Sequence, residues 1–197
     1  MTVTAPPPGR PSGALRDRIV RAAVAMTTES GWSAVTMGAL AERVGVSRQT
    51  VYNEVGAKAG LAEAIILHEL DGFLGVVTRA FDDHPDDLVA AIRAATRHVL
   101  ELAEDNRLLH AVVSATHGAD TELLPLLTTH AHSLLAAAKL VVAERVTPYD
   151  VGLVGPRLEA GIDMIVRVVL SHVMQPSGTP ADTADDIAWI AARVLAG

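Results

Sequence analysis

Apolar residues recur along most of the chain at the three- and four-residue spacing of helices that bury one face. The first such pattern begins at Leu15 and continues to Ser30, where Gly31 ends it. Alternating polar and apolar positions, which are typical of strands, are nearly absent. The sequence therefore predicts an all-α chain. Longer helices are predicted at 58–81, 86–103, 106–116, in a stretch that reaches 146, at 156–174, and after Thr179.

Two short helices of about two turns each are predicted between the first helix and the longer ones. Thr36 and Ser47 are good N-cap residues for them, because a hydroxyl oxygen accepts a hydrogen bond from the first turn. Gly45 and Gly56 end the helices that those residues begin. A turn of about three residues that contains Gly45 separates the two, which predicts a helix-turn-helix motif.

The second short helix presents side chains of the kinds that bond base edges and phosphates. They are Arg48, Gln49, Thr50 and Asn53. Ala41 is small where the two helices must approach closely, and Val46 and Val51 fill the space between them. On spacing alone, a plain helical hairpin with a solvated polar face remains the alternative.

The charge is divided unevenly along the chain. Residues 1–60 hold seven basic and four acidic side chains, a balance of +3, whereas the remainder holds nine basic and nineteen acidic ones, a balance of −10. Only the first part is therefore suited to face a polyanion such as DNA. An architectural DNA-binding protein would need basic charge throughout, so the acidic remainder argues against that class.

Residues 14–64 resemble the DNA-binding domain of the TetR family of transcriptional regulators. The resemblance rests on the Thr36-capped helix, the Gly-Val-Ser turn at 45–47, Tyr52, and the Lys58-x-x-Leu61 opening of the next helix. Two positions depart from the family pattern. Gln49 stands where a small residue is usual, and Val55 stands where an aromatic one is frequent.

The resemblance implies a double-stranded DNA operator as partner and a role for eight residues. Those expected to contact phosphates or the DNA backbone are Thr36, Ser47, Thr50, Tyr52 and Lys58. Those expected to read bases are Arg48 and Gln49, with Asn53 beside them. A ring buried against the first helix is the alternative for Tyr52, and a tyrosine can bury its ring while exposing its hydroxyl.

The resemblance divides the chain into a flexible arm at 1–13, a helix-turn-helix domain of three helices at 14–60, and a helical ligand-binding and dimerisation domain at 61–197. It implies a homodimer formed by the last two helices. The segment 156–174 supports the dimer, because a helix that is apolar nearly all round must be covered on more than one side. The last helix offers an apolar face and a possible anchor, Trp189; ordinary core is the alternative for both. That face consists of Ile187, Ile190, Ala191 and Val194.

The resemblance also implies a small-molecule effector held among the middle helices. Aromatic residues are only 3% of the chain, so Ala, Val and Leu would line an aliphatic cavity suited to an acyl or other lipid-like compound. The stretch 51–58 resembles actinobacterial family members linked to alkane and fatty-acid metabolism. A polar effector and a well-packed body without a cavity are the alternatives. Candidate polar contacts to the effector are Arg97, His98, His130 and Arg167.

Catalysis, metal binding and membrane insertion find no support in the sequence. The chain has no Cys, and His130 and His132 point about 200° apart on a helix, so they cannot share an ion. No nucleophile or phosphate-loop motif occurs. No run of roughly 18 apolar residues occurs, and the first 13 residues lack the apolar region of a secretory signal. We expect a cytoplasmic regulator without cofactor or metal; a helical small-molecule-binding enzyme without a DNA function is the alternative.

Overall fold

The computed structural model describes residues 12–110 and 124–195, which form helices joined by short loops and include no strand. The prediction of an all-α chain is confirmed. The chain divides into two compact units whose boundary falls between Ile66 and Leu67, inside a long helix. The boundary predicted after residue 60 lies near the beginning of that same helix. In the part of the chain that the structure describes, no helix is long and apolar enough to cross a bilayer.

From residue 12 onward, the N-terminal unit holds three α-helices, a short 3-10 helix and the beginning of a fourth α-helix. These elements are α1 (Ser12–Ser30), the 3-10 helix (Trp32–Ala34), α2 (Met37–Val44), α3 (Arg48–Val55) and the first turns of α4 (Lys58–Asp83). A fully buried side chain comes from each of these α-helices, and another comes from the segment between the 3-10 helix and α2. Burial of its own side chain holds α3 against the rest of the unit. These side chains are Ile19, Val35, Leu40, Val51 and Leu61.

Helix α1 begins earlier than predicted and ends at Ser30, as predicted. It includes Ser12 and Gly13, which were assigned to the arm, because a single glycine weakens a helix without ending it. The rest of the predicted arm lies outside the described residues. After Ser30, Gly31 has φ 80° and ψ 160°, a combination that favours glycine. Its positive φ leads the chain directly into the 3-10 helix, which was not predicted.

Within residues 67–110 and 124–195, the C-terminal unit contains the rest of α4 and four further α-helices. They are α5 (Leu88–Asp105), α6 (Leu124–Val146), α7 (Pro156–Met174) and α8 (Pro180–Leu195). Residues 107–110 are also helical, and the rest of the helix predicted at 106–116 lies outside the described residues. Helix α5 packs most extensively against α8. Their facing alanines permit a close approach, and Ala91, Ala188 and Ala191 are completely buried.

Polar contacts fix the ends of α4 and α5. The Tyr149 hydroxyl donates to the carbonyl oxygens of Phe81, at 3.2 Å, and His84, at 2.8 Å, which satisfies backbone groups where α4 ends. Its ring meets the Phe81 ring edge-on, with centroids 6.0 Å apart. Burial, and then the nearby Asp82 carboxylate, raise the pKa of Tyr149. After α5, the Asn106 side-chain amide donates to a Glu69 carboxylate oxygen of α4 at 2.5 Å.

Helices α7 and α8 each bury one face and expose another that is also apolar. In α7, Ile162 and Val166 are buried, whereas Met164 and Val168 are 62% and 38% exposed. The apolar face predicted for α8 is divided in the structure. Ile187 and Ala191 belong to the core, whereas Ile190 and Val194 point outward beside Trp189, which is 56% exposed. The reason is that α5 covers only one side of α8.

Candidate DNA-binding surface

The turn between α2 and α3 has the geometry that its sequence predicts. Gly45 is left-handed, with φ 74°, and its amide donates to the carbonyl oxygens of Ala41 and Glu42. The Val46 amide also donates to the Ala41 carbonyl oxygen, at 3.0 Å, which completes the termination of α2. Val51 is completely buried beneath the turn. The helix-turn-helix motif is therefore held by backbone bonds and by a core residue.

Both helices of the motif begin at the predicted caps. The Thr36 hydroxyl oxygen accepts from the Ala39 amide at 3.1 Å, and the Ser47 hydroxyl oxygen accepts from the Thr50 amide at 3.0 Å. The hydroxyls of Ser47 and Thr50 are also 2.8 Å apart. Both helix beginnings lie at the surface, where unpaired amides and the helix dipole favour an anion.

The outward face of α3 carries two pairs of long polar side chains. The Arg48 guanidinium donates to the Tyr52 hydroxyl at 3.3 Å and lies 5.6 Å from the centre of the Tyr52 ring. The Gln49 amide donates to the Asn53 side-chain oxygen at 3.0 Å. All four side chains are exposed, and Tyr52, at 37% exposed, is partly covered and partly accessible. This face thus offers a cation, two amides and a phenol side by side, which are groups that bond bases and phosphates.

Lys58 stands at the first residue of α4. Its ammonium lies 5.0 Å from the centre of the Trp32 ring, within the distance of a cation–π contact. Trp32 is itself only 5% exposed, so the 3-10 helix supplies a fixed platform for this cation. The platform places a positive charge in the same unit as α3. The sequence did not predict the contact between Trp32 and Lys58, because the two residues are 26 positions apart.

Two arginines of α1 secure the ends of the motif and were also missed by the sequence analysis. Arg18 donates to the Val44 carbonyl oxygen, the last residue of α2, at 3.0 Å. Arg16 donates to the Glu54 carbonyl oxygen near the end of α3. A cation at a helix C-terminus pairs with unsatisfied carbonyls and with the negative end of the dipole. Basic residues at 16 and 18 are thus accounted for by contacts within the unit.

A further ion pair joins α1 to α2. Arg43 donates to both carboxylate oxygens of Glu29, each at 2.6 Å. These hydrogen bonds lower the pKa of Glu29. The contact is bidentate, so it also fixes the orientation of the two helices.

The candidate effector contacts do not come together in the C-terminal unit. Arg97 is exposed and bonded to Glu101 at 2.7 Å, and His98 beside it is exposed. Arg167 is exposed and donates to Asp163, which Lys139 also contacts, each at 2.7 Å. Hydrogen bonds from these two cations lower the pKa of Asp163. The side chain of His130, in α6, lies outside the described part of the structure.

The C-terminal unit does contain a pocket, of about 280 Å³. It lies between the end of α5, the helical residues that follow, the end of α7, and the loop into α8. None of the described candidates Arg97, His98 and Arg167 lines it. Its polar side chains are Glu104, His110, His172 and Thr183. Among the residues that the structure describes, no group of three or more His, Asp or Glu is arranged to hold a metal ion.

Fold and surface together define a helix-turn-helix DNA-binding regulator with a separate helical C-terminal unit. Residues 19–65 match the family model described as bacterial regulatory proteins of the tetR family. Residues 87–193 match the model described as the bacterial tetracyclin repressor C-terminal domain. The chain belongs to the TetR family of transcriptional regulators.

Known relatives agree with this assignment. The chain is 28% identical over 174 residues to the HTH-type transcriptional regulator AlkX of Mycobacterium tuberculosis, covering 88% of this chain and 82% of that one. It is similar to the crystal structure of the TetR family repressor AlkX from Dietzia sp. strain DQ12-45-1b, which is implicated in biodegradation of n-alkanes. The TM-score is 0.74 at 26% identity, over 91% of this chain and 96% of that one. A TetR-family regulator from Mesorhizobium loti, 16% identical over 95% of this chain and 98% of that one with a TM-score of 0.66, shares the fold.

Proposed function

We propose that this chain is a repressor that binds a palindromic double-stranded DNA operator as a homodimer and leaves it when a small-molecule effector binds. The observation that carries the proposal is the exposed face of α3, where Arg48, Gln49, Tyr52 and Asn53 stand clear of the core. A helix that exposes such groups and is fixed from behind by Val51 is suited to lie in a major groove. We place its action in the cytoplasm, where operator DNA is accessible.

Within this proposal the eight site residues have separate tasks. Arg48, Gln49 and Asn53 would read base edges, since guanidinium and amide groups make the bidentate contacts that distinguish bases. Contacts to phosphates or the DNA backbone would be made by Thr36, Ser47, Thr50, Tyr52 and Lys58. The Arg48–Tyr52 and Gln49–Asn53 bonds hold these side chains extended on the helix before DNA is bound. Less side-chain entropy is then lost on binding.

A mobility-shift experiment with fragments of the promoter region beside the chain's own gene tests the DNA function. Arg48→Ala is expected to weaken binding to the operator by about 1–3 kcal/mol, roughly 5- to 150-fold, and to relax specificity at one position. Arg107→Ala, which removes an equally exposed charge from the C-terminal unit, is the matched control and should bind as the wild type does. A wild-type chain that binds no promoter fragment more tightly than unrelated DNA would contradict the proposal.

The homodimer is supported by the exposed apolar faces of α7 and α8. Met164 and Val168 of α7, and Trp189 and Ile190 of α8, are 38–62% exposed. The Arg193 guanidinium lies 3.9 Å from the centre of the Trp189 ring and keeps its charge on the same face. In a two-fold interface each patch meets its own copy, so a helix pair of this kind would form a four-helix bundle with its partner.

A charge placed on that face tests the dimer. Ile190→Glu would bury two carboxylates per dimer, so we expect a monomer by light scattering at micromolar concentration and loss of operator binding. Leu67→Glu is the matched control, because Leu67 is 52% exposed against 50% for Ile190 but lies on α4. A wild-type chain that is monomeric at that concentration, or an Ile190→Glu variant that remains dimeric, would contradict this assembly.

An acyl or other lipid-like effector is supported by the relatives. The Dietzia repressor is implicated in biodegradation of n-alkanes, and it matches this chain over nearly its whole length. An effector that prefers an arrangement of the dimer other than the DNA-bound arrangement must weaken operator binding. By linkage, the factor by which the effector lowers operator affinity equals the factor by which the operator lowers effector affinity. A thermal-shift screen with acids and acyl-CoAs from C6 to C18 tests this class. A flat response across the series would exclude it and leave the DNA function standing.

A further inference from the structure

We propose that the pocket beneath the loop 175–179 is the effector site and that it takes an unbranched alkyl compound with a small oxygen head group, an alkanol or a free alkanoic acid, rather than an acyl-CoA. This inference rests on the proposed function, because it assigns the place and chemistry of the effector. Its volume, about 280 Å³, stands near the lower end of the range for ligand pockets, roughly 300–1,000 Å³. Such a volume suits one small molecule.

The walls of the pocket are mainly aliphatic. Leu100 and Ala103 of α5 are buried and face it, Leu109 lies on the segment after α5, and Val173 comes from the end of α7. Pro176 and Pro180 complete the side formed by the loop. No Phe, Tyr or Trp side chain is among the described residues that line it, so it lacks the large flat surfaces on which planar ring systems stack best. An alkyl chain is the ligand that such walls accommodate.

Hydrogen bonds hold both sides of the pocket in place. On one side, the Asn106 side-chain oxygen accepts from the Leu109 amide at 2.8 Å, and the His110 amide donates to the Asn106 carbonyl oxygen at 3.0 Å. On the other, the Gln175 amide donates to the Ser171 carbonyl oxygen at 2.8 Å, and the Ser177 hydroxyl lies 3.2 Å from His172 Nδ1. The pocket is therefore built by bonds within the unit and needs no ligand to form.

The polar groups of the pocket determine which ligand head group it can bind. His110 and His172 offer imidazole nitrogens, and the ring contact of His172 to Ser177 through Nδ1 leaves Nε2 for a ligand. A hydroxyl or a single carboxyl can bond to such groups. Among the described lining residues there is no Lys or Arg, and Glu104 adds a negative charge, which disfavours the several phosphate charges of an acyl-CoA more than the single charge of a carboxylate. The phosphates of an acyl-CoA would find no cation here, and phosphates are recognised mainly by Arg and Lys.

Chain length gives a quantitative expectation. At the roughly 30 Å³ that a water-sized group occupies, 280 Å³ holds about nine such groups with the head group included, so a chain of about eight to ten carbons fills the pocket. Each buried methylene strengthens binding about fourfold. We therefore expect Kd to fall about fourfold per carbon from C6 to about C10 and then to change little.

Titration calorimetry on the purified full chain, without DNA, tests this assignment with decanoic acid, 1-decanol and decanoyl-CoA. The acid or the alcohol should bind at least tenfold more tightly than the CoA ester. Equal or tighter binding of decanoyl-CoA, or a flat series from C6 to C12, would overturn the assignment. Because DNA is absent, a chain that binds operator but no alkyl compound refutes this inference alone. A chain that binds decanoate but no operator refutes the proposed function instead.

Variants locate the site. Ala103→Leu fills the pocket from α5 and should weaken binding at least tenfold while the melting temperature stays at or above that of the wild type. Ala136→Leu adds the same group at an exposed position of α6 and should leave binding unchanged. If Ala103→Leu does not fold, Leu109→Phe fills the pocket from its other side. Wild-type affinity in a folded filling variant would place the ligand elsewhere and overturn the assignment.

Discussion

Gly60, in the first turn of α4, lies against Val55, the last residue of α3. A Cβ added there would approach the Val55 carbonyl oxygen closer than the 3.0 Å below which such contacts essentially never occur, and would stand 3.5 Å from the Val55 carbonyl carbon. Because the oxygen belongs to the backbone, no side-chain rotation relieves the overlap. Gly60→Ala must therefore move the end of α3 and the beginning of α4 apart by about 1 Å to restore van der Waals distance.

The size of the effect follows from two opposing terms. Overpacking of this kind costs about 1–3 kcal/mol, and replacing a helical glycine by alanine returns about 0.5–1 kcal/mol. The net loss of about 0.5–2 kcal/mol corresponds to a melting temperature about 1–8 °C lower for a chain of this length. Gly72→Ala is the matched control in the same helix, because nothing lies within 4 Å of its added Cβ. It should raise the melting temperature by about 1–4 °C.

Thermal unfolding followed by circular dichroism measures both variants. Fluorescence anisotropy with labelled operator adds a functional readout, because separating α3 from α4 changes the positions of Lys58 and of the end of α3. Gly60→Ala should bind operator more weakly than Gly72→Ala does. If Gly60→Ala is as stable as Gly72→Ala, the close approach of α3 and α4 described here is incorrect.

Three further outcomes follow from the structure. Lys58→Ala should weaken binding to operator and unrelated DNA alike and reduce the salt slope by about one, measured by anisotropy from 50 to 300 mM salt; an unchanged slope would show that Lys58 contacts no phosphate. Tyr149→Phe removes the hydroxyl that bonds the end of α4, so chemical denaturation should show a loss of about 1–2 kcal/mol, and wild-type stability would contradict that role. The lowered pKa of Asp163 stabilises the folded chain above the carboxyl's ordinary pKa. That contribution should disappear in acid and be absent from Asp163→Asn, so wild type and variant should differ less at pH 3 than at pH 7.

The sequence predicted the features that depend on neighbours along the chain. Thr36 and Ser47 cap their helices within three residues, and Gly45 adopts the positive φ that ends α2. Each of these is a local event between residues at most five positions apart, so the residue types alone indicate it. The position of the helix-turn-helix motif follows from these local signals and is confirmed.

Contacts between distant residues could not be predicted in the same way. Arg18 reaches the end of α2 across 26 positions, and nothing in either segment identifies the other. The division of α8 into a face with Ile187 and a face with Ile190 also depends on which side α5 covers. Periodicity reveals how wide an apolar surface is, but it does not reveal which half a neighbour occupies.

The outward position of one candidate effector contact, His98, is predictable from the periodicity of α5. The buried face of α5 includes Ala95, Thr96, Val99 and Leu100, and the same periodicity directs His98 to the opposite side. The pocket itself has no such signal, because its lining comes from the ends of two helices, the segment after α5 and the loop 175–179. Only the folded chain brings Glu104 and His172 to one cavity.

Selection from random double-stranded DNA by the purified wild-type chain, followed by sequencing of the bound fraction, tests the central claim most directly. Two copies of α3 related by a two-fold axis should enrich a palindrome whose half-sites lie about one helical turn, or a multiple of it, apart. The Ile190→Glu variant, tested in parallel, should enrich none. A bound pool without any common sequence, or with a single unrepeated half-site, would contradict a dimeric regulator that reads DNA through α3.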